Sequence, residues 1–180
     1  MDDVSLCAAI LGGDEASCRL LVERETSAVF RTCLRILGQP SDADDAAQST
    51  MIIAIRSLAT YRGDGPLGAW LAWIAVRESL RVLRAQATST PIDDEFGVSD
   101  PDAGVDPPAR LLAEERRAAV RAAVTGLPEP YRETVALRFF AELSIRQIAS
   151  TTGRPEGSVK AHLHRGLDRL RVLLAIEVAA

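Results

Sequence analysis

Residues 144–171 restrict the possible folds more than any other stretch of this 180-residue chain. Val159, Leu163, Leu167, Leu170 and Leu174 recur at spacings of four and three, which places them on one stripe of a helix. Gly153 suits a tight turn ahead of that helix, and Pro155 falls where a first helical turn tolerates a missing N–H. The segment reads as a helix-turn-helix. Roughly opposite the stripe stand Ser158, Ala161, His164 and Arg165, with Lys160 on the flank. A recognition helix sets residues of this kind, from its N-terminal half, into a major groove. The same stripe also fits a plain helical bundle, so the rest of the chain must decide.

Apolar residues make up 47% of the chain and aromatics only 4%, so its cores must be built from Leu, Val, Ile and Ala. That composition favours helices over sheet. The formal net charge of −4 argues by itself against a nucleic-acid partner. The total hides a division, because residues 88–112 carry a net −5 and residues 113–180 a net +3. Net charge is therefore a poor guide to partners here. No apolar run reaches the ~18 residues that a membrane span needs. The acidic start Met-Asp-Asp is unlike a secretory signal, so a cytoplasmic protein is expected. Cys7, Cys18 and Cys33 have no metal-ligand spacing and read as small packing residues in a reducing compartment.

Helical periodicity runs over 5–11, 15–37, from about Ser41 through Leu58, and from Leu67 to Ala87. Gly38 with Pro40, then Gly63 with Gly65-Pro66, break the pattern. Residues 88–109 hold four prolines, two glycines and six acidic residues without a Lys or Arg, which is the composition of a linker. The pattern resumes over Leu111–Thr125 and breaks at Gly126-Leu127-Pro128, and two further helices precede the recognition helix. The expected fold is all-α. Two small helical domains, 1–87 and 113–180, are joined by an acidic linker over 88–112.

Helix 67–87 carries a second nucleic-acid signal. Trp70, Trp73, Arg77, Arg81 and Arg84 fall on one arc of about 80°, given 3.6 residues per turn. Indoles beside guanidiniums can stack bases and hold phosphates. Trp70 stands among leucines and reads as core, whereas the arginines read as functional. Asp42, Asp44 and Asp45 are expected in the first turn of their helix, where carboxylates favour its dipole. An exposed carboxylate cluster also suits a basic partner surface, and spacing alone does not separate the two. No catalytic constellation, phosphate-binding loop, metal-ligand set or cofactor motif is present, so a non-enzyme is expected.

Taken together the motifs resemble a bacterial RNA polymerase sigma factor of the extracytoplasmic-function (ECF) group, over nearly the whole chain. Gly13-Asp14-Glu15-Ala16 with Leu20–Arg24 is similar to the family's opening, and Asp42–Thr50 to its region 2.2 signature. Tyr61-Arg62-Gly63-Asp64 and Leu67–Ala75 resemble the loop and helix that melt and read the −10 element. Leu127–Glu133, Leu143–Ala149, Gly157–Lys160 and Leu163–Arg165 resemble region 4. The resemblance implies that Asp44, Asp45 and Gln48 dock on the β′ clamp helices of core polymerase. It implies that Arg62, Trp73, Arg77, Arg81 and Arg84 face the opened −10 strand, and that Ser158, Lys160, Ala161, His164 and Arg165 face the −35 duplex. Core polymerase (β′ clamp helices and β flap) and promoter DNA are the implied partners. An anti-sigma factor is a further partner class that such a protein admits. The acidic linker would follow the polymerase's RNA path.

Three departures stand out. Ser49 occupies a position where the family usually has an acidic residue. Arg77 and Arg81 stand where many members carry asparagine, so base readout does not transfer. His164 stands where larger or aromatic residues are common in the family, so −35 preference does not transfer either. No long extension follows region 4, so no fused sensor is expected. Two other readings remain open at this point. One is a helix-turn-helix regulator acting without polymerase, which leaves residues 42–86 unexplained. The other is a helical interaction module mimicking a sigma factor, which would have lost the charges of Arg77, Arg81, Lys160 and Arg165.

Overall fold

A computed structural model of the chain describes residues 1–88 and 107–178. Among these residues there are eight α-helices, a short 3₁₀ turn at Leu58–Thr60, and no strand. The helices are α1 (Asp3–Leu11), α2 (Glu15–Leu37), α3 (Pro40–Ser57), α4 (Leu67–Thr88), α5 (Pro107–Gly126), α6 (Tyr131–Phe139), α7 (Ile145–Thr152) and α8 (Glu156–Val178). The all-helical expectation is met.

Local chemistry sets the helix ends. Asp14 caps α2, its carboxylate accepting from the Ala16 and Ser17 N–H groups and from the Ser17 hydroxyl. Ser144 and Gln147 form a reciprocal capping box at the start of α7. Gly153 ends that helix at φ 68°, a conformation that a side chain would strain. Two starts fall earlier than periodicity indicates. Helix α3 opens on Pro40 at its first turn, which leaves only Asp42 there and moves Asp44 and Asp45 into the second turn. Helix α5 begins at Pro107 rather than Leu111, for the same reason. Of the expected linker, residues 89–106 lie outside the described residues.

Helices α1–α4 enclose one apolar core, containing Leu6, Leu21, Cys33, Leu58, Leu67, Trp70 and Leu71. A second core joins α5–α8 and holds Val124, Leu127, Val135, Leu137, Ile148 and Val159. The second core does not stop at the domain boundary. Ile36 of α2 and Ala69, Ala72, Val76 and Leu80 of α4 belong to it. Helix α4 is therefore buried on two faces, one toward each core. Sequence patterning points to two separate bodies, whereas the structure packs them directly against each other. Polar contacts seal the junction. Arg35 donates to the Phe140 carbonyl at 3.1 Å and pairs with Glu142 at 3.0 Å. The Arg121 guanidinium lies over Gly38, where a Cβ would come within 2.7 Å of it.

Candidate functional site

Three surfaces carry the residues singled out in the sequence. The first is the outer face of α3. Asp44, Asp45 and Gln48 are exposed, and Gln48 donates its amide to Asp44 at 2.7 Å. Asp42 does something different: it accepts from Gln86 of α4 at 2.8 Å, tying two helices together. Beside Asp44 and Gln48 runs a groove of about 680 Å³, lined by Val22, Phe30, Met51 and Ile52 among others. Ile52 in this groove is 51% exposed. The surface thus combines carboxylates with an apolar trough, and sequence reasoning found only the carboxylates. Ser49 lies half-buried next to them.

The second surface is α4 with the loop before it. Trp70 is 7% exposed and packs in the first core against Tyr61, as its leucine neighbours suggest. Trp73 is only half-buried, and the Arg77 guanidinium stacks on its ring at 4.8 Å. Arg81 is gripped by both carboxylate oxygens of Glu78, at 2.7 and 3.0 Å. That grip raises the Arg81 pKa and fixes the guanidinium's direction. Arg84 turns its Nε onto the Leu80 carbonyl at 3.1 Å. Arg62 is exposed on the loop. The loop itself is shaped by Tyr61, whose hydroxyl donates to the Gly65 carbonyl at 2.6 Å. Asp3 of α1 accepts the Leu67 N–H at 2.8 Å, so it caps α4 from a distant part of the chain. Trp73 Nε1 donates to Glu133 of α6 at 2.9 Å. Of this surface's residues, sequence reasoning missed Asp3 and Glu78, and it named Tyr61 and Glu133 only as members of motifs, without these contacts. Only Glu78 had a local signal, its spacing of three from Arg81 on a helix.

The third surface is the N-terminal half of α8. Val159, Leu163 and Leu170 are buried, and Leu167 and Leu174 pack at the edge of the same core. The stripe expected from periodicity faces inward. Lys160, Ala161, His164 and Arg165 are exposed together, with Ser158 half-buried beside them. His164 lies 3.4 Å from Asp168 one turn on. His162 is turned the other way. It meets the Tyr131 ring edge-on, and its Nδ1 is buried without a partner. Burial first, then the charges of Arg154 and Arg165, lower its pKa. Cys7 and Cys33 are buried in the first core, Cys18 is half-buried, and all three are free thiols. The described residues contain no group of three or more metal-ligating side chains.

Known proteins resemble this chain in sequence and fold. Residues 21–88 match the family model Sigma-70 region 2, and residues 117–170 match Sigma-70, region 4. The chain is 33% identical to the ECF RNA polymerase sigma factor SigM of Mycobacterium tuberculosis, across 96% of this chain and 84% of that one. It belongs to the ECF group of the sigma-70 family. The ECF sigma factor SigW of Bacillus subtilis is 26% identical over 88% of this chain and 89% of its own length. Among solved structures, CnrH in complex with the cytosolic domain of CnrY superposes with a TM-score of 0.62 at 22% identity, covering 97% of both chains. RpoE of Bartonella quintana, in complex with the anti-sigma factor NepR, gives 0.54 at 18% identity over 88% of this chain and 96% of that one. At such identities the two structures speak for the fold. The sigma factor directs core RNA polymerase to promoters and is not an enzyme. Its partners are core polymerase and promoter DNA. No helix among its described residues is long and apolar enough to cross a membrane.

Proposed function

We propose that this sigma factor divides its work among the three surfaces, in the cytoplasm where core polymerase is found. Asp44, Asp45 and Gln48, with the apolar groove beside them, dock on the β′ clamp helices. Arg62, Trp73, Arg77, Arg81 and Arg84 take the opened −10 strand. Ser158, Lys160, Ala161, His164 and Arg165 take the −35 duplex, while the second domain docks on the β flap.

The observation that carries this reading is the different chemistry of the surfaces. Carboxylates beside apolar side chains fit a basic protein surface with an apolar anchor. A guanidinium stacked on an indole fits an unpaired base and its phosphate. Cations on the free edge of a helix that follows a tight turn fit a major groove. The Glu78 grip supports Arg81 as a pre-aimed phosphate contact, because a fixed guanidinium loses less entropy on binding. An anti-sigma partner is inferred from the structural neighbour RpoE, which is seen with the anti-sigma factor NepR.

Run-off transcription with purified core enzyme tests the division. Asp45→Arg should abolish transcription by abolishing core association. Arg77→Ala should leave core association intact and impair strand opening, read by permanganate reactivity of unpaired thymines. Lys160→Ala should weaken duplex binding. Loss of all three activities in any single variant that remains folded would contradict the division.

A further inference from the structure

The turn that leads into α8 carries a cation that none of the three surfaces uses. Arg154 follows Gly153, whose φ of 68° swings the chain round, and precedes Pro155. A cation just ahead of a recognition helix would ordinarily be taken for a phosphate contact. In the structure it points inward. Its Nη2 meets a Glu133 oxygen of α6 at 2.7 Å, with the arginine side chain 30% and the glutamate 14% exposed. Its Nη1 is buried with no hydrogen-bond partner among the described residues. Glu133 is itself held, because its other oxygen accepts the Trp73 indole N–H at 2.9 Å.

Beyond its first turn, α8 meets α6 by shape. His162 lies edge-on to the Tyr131 ring, and a Cβ on Gly166 would come within 2.7 Å of the Val135 side chain. Those contacts set how closely the two helices approach. They leave the start of α8 to Arg154, whose ion pair joins the turn to α6. A carboxylate–guanidinium pair is directional, whereas ring and methyl contacts slide. The side chains assigned to the −35 duplex, from Ser158 to Arg165, follow within about three turns of it.

We propose that Arg154 is a positioning residue for −35 reading: held by Glu133, it fixes the angle at which α8 leaves the turn, and it touches no DNA itself. The proposal rests on the assignment of α8 to the −35 duplex. A swing of α8 about its own start displaces the base-facing side chains more the farther they stand along the helix. Contacts to base edges need placement to within about 0.5 Å. Phosphate contacts from long, flexible cations tolerate more, and they carry no sequence information. Losing the pair therefore costs discrimination between sequences rather than general affinity for DNA. The pair lies wholly within the second domain, between α6 and the turn after α7.

The test uses the full chain bound to core polymerase. Duplexes randomised over the −35 block, with a fixed downstream sequence, are selected with the wild-type holoenzyme. The selected pool and the starting pool are then the two probes for each variant, over a range of salt. Arg154→Met should lower the affinity ratio of selected to starting pool about tenfold. Affinity for the starting pool should stay within about twofold, and the slope of affinity against salt should not change. Glu133→Met, which matches the glutamate in length and removes no cation, should lower the ratio likewise. The double variant should lose no more than either alone. A fall in affinity on both pools, with a salt slope smaller by about one, would make Arg154 a phosphate contact and overturn the proposal. So would tighter binding of both pools by Glu133→Met, the result of releasing a cation onto DNA. If Arg154→Met loses helical content, Glu133→Met decides alone, and an unchanged ratio there overturns the proposal. If the wild-type holoenzyme selects nothing from the pool, the −35 assignment of α8 is what fails, and the proposal falls with it.

Discussion

At the scale of single residues, the acidic cluster shows what spacing conceals. Asp42, Asp44 and Asp45 look equivalent in the sequence. In the structure Asp42 holds Gln86, whereas Asp44 and Asp45 face solvent one turn later. Asp44→Arg and Asp45→Arg should therefore change stability by no more than about 0.5 kcal/mol, measured by urea unfolding, while weakening core association in a pull-down. Asp42→Ala should do the reverse. His162 gives a second residue-scale expectation. Burial and two neighbouring arginines hold its pKa below the ordinary 6.5, so the fold prefers the neutral ring. Above pH 6.5 the ring is neutral in both folded and unfolded chains and carries no pH-dependent cost. As pH falls below 6.5 the unfolded chain takes up the proton first, and the folded state loses stability. His162→Gln should flatten the decline of melting temperature between pH 6.5 and 5. An unchanged slope would show that His162 is not responsible. The setting of His164 was readable from its place opposite the apolar stripe, whereas that of His162 depends on Tyr131 of α6, which spacing does not reveal.

At the scale of elements, helix and turn placement was largely legible, since it depends on neighbours in the chain. The Leu/Val stripe of α8, the Gly153 turn and the Asp14 cap are all local. The missed boundaries are at Pro40 and Pro107, where proline begins a helix rather than delimiting a loop. What local reading could not supply is a cap donated from afar. The α4 N-terminus receives Asp3 of α1, which Arg24 holds in turn at 2.7 Å. Asp3→Ala should cost about 0.5–2 kcal/mol, the usual range for a lost N-cap, and should slow promoter opening more than core binding. Asp3→Asn keeps an acceptor oxygen and should recover most of the opening rate. Equal defects in both variants would assign the effect to the Arg24 pair. The Asp14 cap makes a pH prediction of its own. The Ser17 hydroxyl, then the Ser17 and Ala16 N–H groups, hold its pKa below the ordinary 3.8. Its contribution is present above pH 3.8 and is lost as pH falls through the lower folded value. The melting-temperature gap between wild type and Asp14→Ala should be constant near neutrality and close below pH 3.8.

At the scale of the whole molecule, the packing of one domain on the other was not legible at all. The stripe Ala69, Ala72, Val76 and Leu80 has ordinary helical spacing, and nothing in it says which distant helix will cover it. Glu133 and Trp73 are 60 residues apart, beyond the reach of any periodicity argument. Function at this scale was carried by the resemblance, whereas the shared core had to come from the coordinates. Ile36 offers the sharpest test of that packing. It belongs by sequence to α2, yet it is fully buried in the second core. Truncating a buried isoleucine to alanine typically costs about 2–5 kcal/mol. If the domains stood apart, Ile36 would be a surface residue of the first domain, and Ile36→Ala would change little anywhere. With the domains packed, the substitution should lower amide-exchange protection in α6, whose Val135, Ala136 and Leu137 share the same core. Protection in α1, on the far core, should fall least. Hydrogen exchange on the full chain reads both helices in one experiment. Unaltered protection of α6 would mean that the second domain does not depend on Ile36, and that the shared core contributes little in solution.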